Sequence, residues 1–398
     1  MSHQWLVFGT LHLVSLFDTE LFTVWCTTVV RKKKKKKDLV YRKKGQKKKK
    51  KKVDSFSLFH IFHILFLQIL DLIPYSHTYF ILQFSFLNLF LQISSLISTI
   101  MSGLMRLLRA QRNPPKDPID ISFAGKNFLL TGATSGLGFE AAVKILNLGA
   151  DMLIIGSRSL KRGEQTKAEL ENRTNRLGVV QVWELEMDSF ASVRDFARRV
   201  DRNIPRLDVA LLNAGLWNRE YIVTPDGWEQ TLQVNTLSTS LLAFLLLPKL
   251  RSSGSISGPA HLTVVSSQQF ARVKPESLRT DGDGPLLERL NAPPKKTKET
   301  VKMYGISKLL LEYVIKNIAR LTRKEDGTVQ VIVNTVSPGF CASSLGRQFR
   351  RPYERWLLWI VYKLFARTAE QGSRSLVSAT VQGVESQGKC WRSDGYLE

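Results

Sequence analysis

From about residue 120 onward the chain alternates short apolar runs with longer stretches whose apolar residues recur at helical spacing. Asn127–Leu130, Asp151–Ile155, Val179–Leu185, Val209–Leu212, His261–Val265 and Gln330–Thr335 read as six strands. Most are continuously apolar rather than alternating, which is the pattern of strands covered on both faces. Between them, Glu140–Leu148, Gly163–Leu177, Ser192–Asp201, Gln233–Leu250 and Tyr304–Arg323 read as helices. Strand and helix in strict alternation predict an α/β fold, a doubly wound parallel sheet in one domain over residues 121–398.

The preceding pattern is of another kind. Residues 101–120 form a short amphipathic lead, with Leu104, Leu107 and Leu108 beside Arg106 and Arg109, and then a proline-containing linker. Residues 1–100 hold apolar stretches around two runs of six lysines, Lys32–Lys37 and Lys47–Lys52. Tyr79 to Ile100 is a run of 22 residues without a charge, enough to cross a bilayer, where about 20 apolar residues suffice. Three readings stay open for this segment: a membrane anchor with its lysines on the cytoplasmic side, a basic nucleic-acid-binding arm, or translated A-rich and T-rich non-coding sequence upstream of a start at Met101.

Charge changes the picture only once it is located. Of 58 Lys and Arg, 16 lie between Arg31 and Lys52 against a single acid, Asp38. From Met101 onward 42 basic residues face 29 acidic ones, a moderately basic body compatible with a phosphate-bearing ligand. Three cysteines (Cys26, Cys341, Cys390) form no disulfide framework and no metal-spaced pair, so a reducing, cytoplasmic compartment and no metal are expected. Should residues 1–100 be real, the expected location shifts to the endoplasmic reticulum or another membrane.

Candidate chemistry lies at the ends of the apolar runs. Thr131-Gly132-Ala133-Thr134-Ser135-Gly136-Leu137-Gly138 joins the first strand to its helix, where glycines permit a tight turn and backbone N–H groups at a helix N-terminus attract a pyrophosphate. Leu212-Asn213-Ala214-Gly215 ends the fourth strand, Asn235 lies in the long apolar helix, and Ser266-Ser267 ends the fifth strand. Tyr304-Gly305-Ile306-Ser307-Lys308 opens the last long helix, and Pro338-Gly339 follows the sixth strand. Tyr304 and Lys308, four apart, share a helix face, so a cation beside the phenol is expected to lower its pKa towards the working range.

In spacing and order these motifs resemble the short-chain dehydrogenase/reductase family, from about Phe123 to the C-terminus. The nearest resemblance is to retinol-dehydrogenase-like and fungal secondary-metabolism reductases, through Ala366-Arg-Thr-Ala-Glu-Gln-Gly-Ser-Arg and Ser393-Asp-Gly. The resemblance implies a Rossmann-type catalytic domain with Tyr304 as acid/base. Lys308 would assist it, Ser267 (rather than Ser266) would hold the substrate oxygen, and Asn235 would fix a water relaying protons to Lys308. It implies cofactor contacts from Gly132, Ser135, Gly136, Leu137, Gly138, Asp188, Asn213, Gly215, Tyr304, Lys308 and Ser343.

The second strand ends in Ile155-Gly156-Ser157-Arg158-Ser159-Leu160-Lys161-Arg162. It lacks the acid that binds ribose hydroxyls of NAD, and Arg158 suits a 2′-phosphate, so NADP(H) is the expected cofactor. Residues 274–298, inserted between Ser267 and Tyr304, read as a loop at the active-site mouth or as loose decoration. Within residues 355–366, Trp356, Leu357, Trp359, Ile360 and Phe365 allow a substrate pocket or lid, plain core packing, or an interfacial helix.

The expected activity is carbonyl–alcohol interconversion on a lipophilic small molecule, as in secondary metabolism. A homo-oligomer is expected, no nucleic-acid partner, and membrane association through residues 79–100 or 355–366. The rival readings are an NADP-binding interaction protein that kept the fold without catalysis, and an adaptor driven by residues 1–100.

Overall fold

The computed structural model describes residues 77–397 except 255–257, 279–283, 295–296, 344, 346–347 and 349–350. The lysine runs and Cys26 therefore lie outside the described residues. Two compact units divide the chain, Met1–Leu91 and Gln92–Glu398. Of the first, only residues 77–91 are described, and they are helical. They belong to α1 (His77–Arg112).

The second unit is built on one sheet. Its strands are β1 (Asn127–Thr131), β2 (Met152–Ser157), β3 (Val180–Glu184), β4 (Val209–Leu212), β5 (Ala260–Val265), β6 (Val331–Val336), β7 (Cys390–Arg392) and β8 (Gly395–Tyr396), in the order β3-β2-β1-β4-β5-β6-β7-β8. All neighbours are parallel except β7 and β8. The six expected strands are present to within a residue or two. The pair β7–β8 was not anticipated: each strand is too short to show a period, and the hairpin depends on Ser393 (φ 45°) and Asp394 (φ 67°) taking left-handed conformations.

Successive strand residues feed opposite layers. Leu129, Ile154, Ala210, Leu262 and Val333 point to one face, where they meet α4 (Phe190–Asn203), α5 (Thr239–Ser253) and α7 (Thr297–Leu321). Phe128, Leu130, Leu153 and Leu211 point to the other, against α2 (Gly136–Asn147), α3 (Leu160–Thr174) and α9 (Ala369–Ala379). With apolar partners on both sides, most positions of the inner strands are apolar, while edge strand β3 leaves Gln181 and Glu184 exposed.

Three local differences bear on the site. The long helix expected from Gln233 begins instead with an α-turn (Gln230–Leu232) and a π-helical stretch (Gln233–Ser238) before α5. Helix α7 starts at Thr297, two turns before Tyr304. The 274–298 insertion is partly built: α6 (Leu286–Asn291) sets Leu286 and Leu290 against Leu232, Met303 and Ile306. Helix α8 (Pro352–Phe365) follows β6 and buries none of its residues.

Candidate active site

Strand β1 pairs with both β2 and β4, so the connections leave in opposite directions above the carboxyl ends of β1 and β4. A crevice at that point is where open α/β sheets take ligands. Here it is a cavity of about 1260 Å³.

Its floor is the glycine turn. Gly132 has φ +69°, and a Cβ there would lie 2.9 Å from Ala214 Cα; a Cβ on Gly138 would lie inside contact distance of the Gly132 carbonyl oxygen. The turn is thus pressed onto the end of β4 with no room for a methyl group. Asn213 Nδ2 donates to Thr131 O (3.1 Å) and Gly132 O (3.0 Å), and Ala214 N donates to Thr131 Oγ1 (2.9 Å). Asn213, expected as a cofactor contact, lines the cavity but uses its amide to hold the turn. Ser135, Gly136, Leu137 and Gly138, the first residues of α2 and its cap, line the cavity as expected.

Arg158, exposed at the end of β2, lines the cavity with Arg162, whereas Lys161 does not. Ser159 caps α3 by accepting from Arg162 N, which fixes the start of the helix carrying Arg162, with Arg158 just before the cap. Asp188 lines the cavity and accepts from Gln230 Nε2 at 3.0 Å. Gly215 and Ser343 line it as well.

The reactive end is assembled by α7 against the end of β5. The Tyr304 side chain is hydrogen-bonded to Ser267, while Ser266 is buried on the Glu312 side. Lys308 is buried and its Nζ donates to Val265 O at 2.8 Å. A Cβ on Gly215 would lie 3.2 Å from Asn235 Oδ1 and 3.6 Å from Lys308 Nζ, which brings β4, the π-helical stretch and α7 to one point. Asn235 is fully buried; its Oδ1 accepts from Leu216 N (2.9 Å), and its Nδ2 donates to Leu216 O (2.8 Å) and Ser307 Oγ (3.1 Å).

The electrostatics differ from the expected lowering of the Tyr304 pKa. Burial pushes the phenol above its ordinary value, and the Ser267 hydrogen bond opposes this. The cause is the desolvation of the phenol itself; beside it, burial pushes the Lys308 amine down to about 8, with the carboxylate of Glu312 opposing.

Several residues here carry no local sequence signal. Ser307 accepts from Asn235 and donates to Tyr304 O (2.9 Å), and Thr236 Oγ1 donates to Ser307 O (2.8 Å). Glu312, one turn beyond Lys308, is half-buried and accepts from Thr335 Oγ1 at 3.0 Å. Its carboxyl is pushed up by burial. Only the Lys-plus-four spacing of Glu312 could have marked it from sequence.

The same cavity has an aromatic and apolar lining from Trp217, Phe340, Val361, Tyr362 and Phe365. Among the residues of 355–366 expected to form a pocket, Phe365 does so. Trp356, Leu357 and Trp359 are 64%, 57% and 57% exposed, which overturns core packing for them and takes them off the cavity wall. Among the described residues no group of three or more His, Cys, Asp or Glu is placed to hold a metal. Cys341 and Cys390 are free and buried.

Comparison with known proteins agrees with this architecture. The family profile for short chain dehydrogenase matches residues 126–268. The chain is 44% identical over 291 residues to the short-chain dehydrogenase/reductase phmF of Phaeosphaeria nodorum, covering 73% of this chain and 83% of that one. It belongs to the short-chain dehydrogenase/reductase family.

A second relative within this short-chain dehydrogenase/reductase family, ffsI of Aspergillus flavipes, is 41% identical over 299 residues, 74% of this chain and 84% of its own. In fold the chain matches the RhlG/NADP active-site complex of Pseudomonas aeruginosa with a TM-score of 0.51 at 23% identity, over 69% of this chain and 96% of that one. The profile match ends at Gln268, so it takes in the glycine turn and Ser267, while Tyr304 and Lys308 follow it.

Proposed function

We propose that this short-chain dehydrogenase/reductase uses NADP(H) to interconvert a carbonyl and an alcohol on a lipophilic small molecule of fungal secondary-metabolism type, with Tyr304 as the proton donor and acceptor. The observation that carries this is the convergence of Tyr304, Ser267, Lys308 and Asn235 from three separate elements beside Gly215, at the cavity that the glycine turn also lines.

The residues present suit an NADP-type dinucleotide. The glycine turn forms a cradle that a single Cβ would fill, the start of α2 offers N–H groups to a pyrophosphate, and Arg158 and Arg162, which line the cavity, would suit a 2′-phosphate. The fold relative named with NADP supports the same choice. When bound, the nicotinamide supplies or accepts hydride. Gly132, Ser135, Gly136, Leu137, Gly138, Asp188, Asn213, Gly215 and Ser343 would form the rest of its bed.

This chain's residues would then handle the proton. Ser267 would hold the substrate oxygen by hydrogen bond and favour charge developing there. Tyr304 would give its proton to that oxygen in reduction and take it back in oxidation. Lys308 would support the phenolate and be resupplied through a water anchored at Asn235. The aromatic wall formed by Trp217, Phe340, Tyr362 and Phe365 excludes water and favours an apolar substrate over a sugar.

The cysteine usage, without a disulfide framework, favours a cytoplasmic location for the enzyme. The test is NADPH oxidation by the full chain against a panel of apolar ketones and aldehydes. Tyr304→Phe is expected to lower kcat by about 10²–10⁴-fold while leaving NADPH binding intact. Turnover by Tyr304→Phe equal to wild type, or NADPH binding without turnover of any carbonyl, would overturn the catalytic reading; a preference for NADH would overturn the role of Arg158.

A further inference from the structure

Helix α8 faces two different media. Val361, Tyr362 and Phe365 wall the cavity, while Tyr353, Trp356, Leu357, Trp359 and Leu364 on the other side are between 49% and 64% exposed. Five large apolar side chains grouped on one short helix make a patch that soluble monomers rarely leave open. Cations frame it: Arg351, Arg355 and Lys363, with the Lys363 ammonium 4.9 Å above the Trp359 ring. The single acid of the helix, Glu354, is already paired with Arg219 at 3.1 Å.

The C-terminal part of α1 joins this face. Gln111 Nε2 donates to Lys363 O (3.1 Å) and Ala366 O (3.4 Å), and Gly103, Arg106 and Leu107 line the same cavity as α8. Further up α1, Leu96, Ile97, Ile100 and Met101 are each more than half exposed. The stretch Leu91–Arg109 is long and apolar enough to cross a membrane, and none of it is buried. Arg106 and Arg109 close this stretch and Arg112 follows it.

The charges choose the occupant. A second copy of the chain, docked by two-fold symmetry, would gather two sets of Arg351, Arg355 and Lys363 into one interface, with the helix's one acid, Glu354, already paired. Anionic lipid headgroups would neutralise them, while Trp and Tyr take the headgroup level and the lysine stem reaches up to water.

We propose that α8 and the C-terminal part of α1 form a membrane-docking face for an anionic leaflet, and that substrate enters the cavity from the lipid between these two helices. The entry route rests on the reading that the substrate is lipophilic; the docking face does not.

The test uses the full chain and vesicles of phosphatidylcholine and phosphatidylserine, with plain or dibrominated acyl chains. Tryptophan fluorescence of the wild type is expected to fall on brominated vesicles relative to plain ones, and Trp356→Phe/Trp359→Phe to lose that decrement. An equal decrement in the double variant, or none in the wild type, would overturn the docking face. For the route, Trp356→Glu/Trp359→Glu is expected to raise KM about tenfold or more for a bilayer-dissolved ketone, with kcat and the KM for a water-soluble ketone unchanged. Equal changes for both ketones would overturn it. A lipid-free dimer that the Glu variant dissociates would assign the face to a second copy, and overturn the proposal as well. Quenching needs no turnover, so loss of the oxidoreductase reading (no carbonyl reduced) and loss of this one (no quenching) are separate results.

Discussion

The glycine turn gives the sharpest quantitative expectation, through Gly138→Ala. The added methyl would enter the van der Waals shell of the Gly132 carbonyl oxygen, 2.5 Å from Asn213 Nδ2 and 2.9 Å from the Gly132 carbonyl carbon. Two of those three obstacles are backbone, so no rotamer change relieves them; the turn or the start of α2 must move by roughly 1 Å to restore ordinary contact. Overpacking of this kind costs about 1–3 kcal/mol. Displacing the turn also weakens the Asn213 bonds to Thr131 O and Gly132 O, each worth about 1 kcal/mol net. A melting temperature lower by roughly 5–10 °C follows. A shift of that size misaligns the N–H groups at the head of α2, and NADPH binding should weaken by about 10–100-fold. Thermal unfolding with and without NADPH, and a fluorescence titration, read both effects. Gly103→Ala is the control, because nothing lies within 4 Å of its Cβ and an alanine there favours the helix. Gly138→Ala with unchanged melting and an NADPH Kd within about twofold of wild type would refute the reasoning.

Three further expectations follow from the same geometry. Arg158→Glu should lower the kcat/KM preference for NADPH over NADH by about tenfold or more, since a charge-assisted contact becomes repulsive, as measured with both cofactors on one substrate. Lys308 is buried with its pKa pushed down to about 8 from 10.5, so between those values the unfolded chain binds a proton that the folded one does not, and stability through this group rises with pH. The stability difference between wild type and Lys308→Met, from urea unfolding, should therefore shift in favour of wild type by up to about 3 kcal/mol from pH 8 to 10.5; a flat difference would contradict the burial. His261 is pushed down to about 4 by burial, so the wild type should lose about 2 kcal/mol as pH falls from 6.5 towards 4, a loss that His261→Gln should not show.

How far the sequence reached depends on what each feature needs in order to be seen. Strands such as Val209–Leu212 are legible because both faces are buried, and burial leaves its mark on every residue. The glycine turn is legible because its backbone conformation at Gly132 (φ +69°) admits few residues besides glycine. Tyr304 and Lys308 are legible because four residues is one helical turn. Ser307, bonded to an asparagine 72 positions away, is invisible because nothing nearby in the chain constrains it. The depressed Lys308 follows from desolvation, a property of the folded body that spacing does not encode. The aromatic residues of α8 were ambiguous for a plain reason: a run of Trp, Leu, Ile and Phe looks the same whether it faces a core, a cavity or lipid, and only the placement of the helix distinguishes them.

Helix α8 has one more consequence, for how such an enzyme changes over generations. It contributes a substrate wall yet buries none of its residues, and its ties to the body are few, among them Gln111 to Lys363 O and Arg219 to Glu354. Val361, Tyr362 and Phe365 are only half-buried, so exchanges there reshape the cavity at a stability cost of about 1 kcal/mol, the centre of the range for single substitutions, while the proton-handling residues stand on strand ends and on α7. Selection can therefore retune what the enzyme accepts without renegotiating whether it folds. Grafting this helix from one relative to another is the corresponding route for engineers who want the same chemistry on a different molecule.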